Sequence, residues 1–101
     1  MGPGEEGPRP VVPPYRIEIK LSARKALAAL PRPAQRRVQA KIDRLATNPR
    51  PAGVRQLQGP DRFLRIRVGD YRVIYQVLEG VLVVLVIRIA HRRDAYRLPI
   101  A

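Results

Sequence analysis

Phe63–Arg97, FLRIRVGDYRVIYQVLEGVLVVLVIRIAHRRDAYR, decides the fold. Val, Ile, Leu and Tyr dominate it, and two pairs of turn-forming residues, Gly69-Asp70 and Glu79-Gly80, cut it into three pieces. Two-residue connections of this kind favour tight hairpins, so the stretch reads as three consecutive antiparallel strands at about 62–68, 71–78 and 81–90. The last piece is apolar almost without alternation, the pattern of an interior strand covered on both faces. Arginines interrupt the other two at fixed parity.

Working outward, Tyr15–Leu21 (YRIEIKL) alternates, with Tyr15, Ile17, Ile19 and Leu21 on one face of a half-buried strand. Ser22 is positioned to cap a first helix carrying Ala23, Ala26, Leu27 and Leu30 on one side, and Pro31 stops it. A second helix is expected from Pro33, with Ala34, Val38, Ile42 and Leu45 at helical spacing, ending at Asn48-Pro49. Its other face holds Arg36, Arg37, Lys41 and Arg44, which read most simply as a solvated surface. A breaker-rich loop, 50–60, leads into the hairpins. The expected class is α+β, in the order β-α-α-β-β-β: a helical hairpin packed on one face of a small, antiparallel-rich sheet.

The Pro/Gly-rich residues 1–14 cannot build a packed element and are expected to form a disordered tail; residues 15–101 make a single domain. Residues 1–14 lack the apolar core of a secretion signal, and the run Val81–Ile87 is far too short to span a bilayer, so a cytoplasmic protein is expected. Absence of cysteine excludes disulfides and thiolate metal sites, and a single histidine leaves no metal-ligating set. No cofactor is expected. The 20 Lys+Arg against 8 Asp+Glu give a net charge of +12. Most of the excess is arginine, whose planar fork of donors matches phosphate. Nucleic acid or an acidic protein partner is the implied class of ligand.

Alternation assigns these arginines to a face. Leu64, Ile66 and Val68 belong against the helices, which turns Arg65 and Arg67 to the open side. Arg72, just beyond the Gly69-Asp70 turn, falls close to Arg67 across the hairpin. Like charges opposed on a sheet are destabilising, so their presence makes sense if an anion normally sits between them. Arg88, His91, Arg92 and Arg93 add charge where the last strand exits. Tyr96 can stack on a base or move a proton, and His91 is the one side chain whose ordinary pKa lies near neutrality.

The chain from Tyr15 to Arg97 resembles the RelE/ParE superfamily of toxins from toxin–antitoxin pairs. The motifs that carry the likeness are NPRPAGVRQLQG before the sheet, FLRIRVGDYRVIYQV across the first hairpin and HRRDAYR at the end. The RelE branch, which the arginine set favours, implies a metal-independent, ribosome-dependent mRNA endoribonuclease that inhibits translation. The ParE branch implies a DNA gyrase inhibitor without nuclease activity, and a degenerate member would only bind. Carried over by motif, the catalytic candidates are Arg67, Arg72, Arg92, Tyr96 and His91, with Arg65, Arg88 and Arg93 holding RNA. Arg65 stands where some members have lysine, and an arginine cannot act as a general base. In the implied reaction a 2′-hydroxyl attacks the adjacent phosphorus, leaving a 2′,3′-cyclic phosphate and a 5′-hydroxyl. The partners implied are the ribosome, mRNA and an acidic antitoxin whose segment folds over the arginines.

Overall fold

A computed structural model describes residues 14–94. Its elements run β1 (Arg16–Ile19), α1 (Leu21–Ala28), α2 (Arg32–Arg44), β2 (Arg55–Gln56), β3 (Leu64–Val68), β4 (Tyr71–Leu78) and β5 (Val83–His91). The five strands form one sheet in the order β1-β5-β4-β3-β2. All pairings are antiparallel except β1 with β5, which is parallel because the two helices return the chain to the same end. The α+β architecture with a helical pair on one face is the expected one. β5 lies inside the sheet between β1 and β4, as its apolar run required.

The helices cover one face through short stripes: Ala23 and Leu27 of α1, and Ala34, Val38 and Ile42 of α2 followed by Leu45. They meet Leu64, Ile66, Val68, Val73, Tyr75, Val84, Val86 and Ile89 from the sheet in one core. Tyr75 is fully buried there, and its hydroxyl donates to the Pro49 carbonyl at 2.6 Å, fixing the chain just after α2 to the middle of β4.

Several local expectations are corrected. Lys20, not Ser22, is the N-cap of α1, and it makes no side-chain capping bond. The helix takes Leu21 away from the first strand. α2 opens at Arg32 behind Pro31, with Pro33 in its first turn. Glu79-Gly80 is not a two-residue hairpin: Glu79–Val81 form a 3₁₀ turn, and Leu82 adopts a left-handed φ of 53°. That turn lets the Leu82 carbonyl accept the Arg16 amide at 2.9 Å, so the connection also positions β1. β2 was not foreseen. Two residues are too short for periodicity to register.

β5 carries a bulge opposite the Ile74/Tyr75 step, with Ile74 beside Arg88 but Tyr75 beside Val86. Strict alternation from Val84 and Val86 would send Arg88 under the helices. The extra residue, Ile87, turns Arg88 to the other face and returns Ile89 to the core. That other face is not uniformly bare: Ile74, on the same side as Arg72, is fully buried. No helix among the described residues is long and apolar enough to cross a membrane.

Candidate nucleic-acid interface

β2 pairs only with Leu64 and Arg65 of β3. Beyond that point the outer edge of β3 borders an open groove instead of another strand. The C-terminal half of α2 forms one wall (Lys41, Arg44, Leu45). The Thr47–Gly53 segment forms a second, and Arg55, Arg65, Ile66, Arg67 and Arg72 complete it. Its volume of about 820 Å³ is in the range of sites that enclose a small ligand. Gly53, at a left-handed φ of 87°, supplies the bend that a side chain would strain, and the Tyr75–Pro49 bond anchors the same segment.

Two arginine couples face one another across the strands of this groove. Arg67 stands directly opposite Arg72 across the β3–β4 ladder, and Arg55 directly opposite Arg65 across β2–β3. None of the described lining residues is acidic. Arg72 is half-buried and pinned by its own turn, one guanidinium nitrogen donating to the carbonyls of Gly69 and Tyr71 at 3.2 and 3.1 Å. Donors held this way are ready for an anion without rearrangement.

The candidate residues separate accordingly. Arg65, Arg67 and Arg72 meet in the groove. Arg92 is exposed, and its amide donates to the Asp70 carbonyl at 2.7 Å, which brings the turn after β5 to the β3–β4 hairpin. Arg93 is exposed in that turn. Arg88 lies beside Ile74 away from the helices; it donates to the Asp94 carbonyl at 3.4 Å, and its buried Nε has no partner among the described residues. His91 pairs with Tyr71 on the helix side of the sheet, ring edge to ring face at 5.7 Å, and its Nδ1 accepts the Arg93 amide at 3.2 Å. Tyr96 lies outside the described residues, as does the tail 1–13.

Arg55, Lys41 and Arg44 were not singled out for the groove. Lys41 and Arg44 looked like solvated helix charges, and Arg55 belongs to the strand too short to detect. Away from the groove, Glu79 accepts from Tyr15 at 2.6 Å and Arg50 at 2.8 Å. The Tyr15 hydroxyl, then Arg50, hold its carboxyl below the ordinary range.

A mixed sheet backed by two helices, with an arginine-lined groove at its free edge, defines a small basic α+β domain. Residues 17–96 match the family described as the ParE toxin of type II toxin–antitoxin systems, and the chain belongs to that family. It is 32% identical over 84% of its length to a Methanocaldococcus jannaschii protein provisionally named toxin RelE1, covering 98% of that relative. Among solved structures it is similar to the RelE–RelB complex of Pyrococcus horikoshii, with a TM-score of 0.72 and 34% identity over 81% of this chain and 99% of that one. The Mycobacterium tuberculosis RelBE2 toxin–antitoxin complex gives 0.69 and 25%, over 78% and 99%.

Proposed function

We propose that this toxin is an endoribonuclease that cleaves mRNA on the ribosome, and that an acidic antitoxin silences it by occupying the same groove. The observation that carries the reading is the directly opposed Arg67/Arg72 couple in a groove whose described lining holds no acid. Such an arrangement costs stability in the free protein and is relieved by phosphate. The similarity to RelE toxins in complex with RelB supports both the nuclease and the antitoxin.

In this reaction the 2′-oxygen bonds to phosphorus, the bond to the 5′-oxygen breaks, and one proton leaves the 2′-hydroxyl while another reaches the departing oxygen. Arg67 and Arg72 stabilise the charge that builds on the phosphoryl oxygens, and Arg92 that on the leaving group. Arg65, Arg88 and Arg93 hold the strand, Arg88 in part by bracing the turn through the Asp94 carbonyl. Arginine cannot take a proton at working pH, so proton transfer falls to Tyr96. His91 faces the helix side with Nδ1 already engaged, and its role is to orient the turn that carries Arg92 and Arg93.

Inhibition of DNA gyrase is the second reading, favoured by the family that residues 17–96 match. Induction in growing cells separates the two. Primer extension should reveal new 5′ ends within translated messages, while supercoiling by purified gyrase stays unaffected. Intact messages together with inhibited gyrase would overturn the nuclease.

A further inference from the structure

Four basic residues of α2 looked equivalent in the sequence. The fold divides them. A second cavity, lined by Arg37, Ala40, Lys41, Arg44, Arg67, Val68 and Gly69, adjoins the groove and shares Lys41, Arg44 and Arg67 with it. Arg36 lines neither. The two cavities form one trough running between α2 and the free edge of β3 to the β3–β4 turn.

Arg37, Lys41 and Arg44 recur at helical spacing on one stripe, covering ~10 Å of the α2 axis. At the far end the Arg37 guanidinium sits over Gly69, about 3.5 Å from where a side chain would begin. The left-handed φ of 59° is what calls for glycine at this turn, and the Arg37 side chain rests against it at ordinary contact distance at the trough's mouth. The described lining has no acid. Asp43 is absent from it and accepts instead from Gln39 at 2.9 Å.

We propose that this trough is a second RNA-backbone subsite, binding phosphates of a strand outside the nucleotide that is cut; the inference rests on the nuclease reading. Continuity through Arg67 places an occupant of the trough in line with one in the groove, and a row of cations along the helix meets successive phosphates. Backbone contact of this sort carries no base preference.

The test uses the whole protein and single-stranded RNA bearing 2′-O-methyl groups throughout, which cannot be cleaved. Affinity for a nonanucleotide is followed against salt. Each phosphate contact contributes about 0.7 to the logarithmic salt slope for single strands. The double variant Arg37→Gln/Lys41→Gln should therefore lower the slope by about 1.4, and Arg36→Gln should leave it unchanged. Equal losses in both variants, or none in the first, would overturn the subsite. A parallel arm measures binding to ribosomes without message. A loss there, with the oligonucleotide unaffected, reassigns the strand to ribosomal RNA and overturns a message-flank site. A loss confined to a poly-glutamate peptide would make the trough a protein-docking site and overturn the RNA assignment. Messenger cleavage by the unaltered protein, measured separately, tells failure of the subsite from failure of the nuclease reading.

Discussion

Replacing Tyr75 by Phe removes one oxygen from the centre of the molecule and should change both its stability and the pH dependence of that stability. The ring is fully buried and the hydroxyl donates to the Pro49 carbonyl. Losing that bond and stranding the acceptor costs about 1–2 kcal/mol near neutral pH. Burial also pushes the phenol from 10.0 to about 12. A raised value means that the neutral form is the one the fold favours. Its contribution is complete below 10.0 and is lost as pH climbs towards 12. Two units at about 1.4 kcal/mol each amount to ~3 kcal/mol, enough to exceed the bond itself. Denaturant unfolding of both proteins should therefore find the wild type more stable near neutrality and the advantage shrinking, then reversing, through that window. Tyr15, whose hydroxyl is also raised, chiefly by its bond to Glu79, is common to both and cancels. A difference that stayed constant with pH would refute the account, since it would mean that the Tyr75 phenolate is not penalised in the fold.

Three other outcomes are expected. Arg67→Gln should slightly stabilise the free protein, by a few tenths of a kcal/mol that fade with added salt, while cutting mRNA cleavage about 10²–10³-fold; unfolding curves and a cleavage assay read the two effects. Gly69→Ala, at a left-handed turn position, should cost ~1–2 kcal/mol through backbone strain alone, since a methyl there meets Arg37 only at ordinary contact distance, and should lower the thermal midpoint. Glu79→Gln should be less stable than the wild type at neutral pH. Because the Glu79 carboxyl is held below 4.5, that deficit should disappear as acid protonates it, which thermal unfolding across the acid range would register.

Much of the fold was legible because it depends on local periodicity. The alternation of Leu64, Ile66 and Val68 against Arg65 and Arg67 fixed the inward face of β3, and the spacing of Val38, Ile42 and Leu45 fixed that of α2. The Gly69-Asp70 turn then set Arg67 against Arg72. What depended on long-range pairing was hidden. β2 exists only because Arg55 and Gln56 find β3, and it completes the groove. The division of Arg37, Lys41 and Arg44 from Arg36 follows from how α2 rests on the sheet, which no helical wheel contains.

The last strand shows where local pattern ends and packing begins. Its composition determined that it would be interior, because an edge or solvent-facing strand could not carry so many apolar side chains. Only the fold decided which side Arg88 and His91 take. One bulged residue, Ile87, reverses the parity of everything after it, keeping a guanidinium out of the core and placing the histidine beside Tyr71. Alternation is a property of the chain, but the place where it breaks is chosen by the strands on either side.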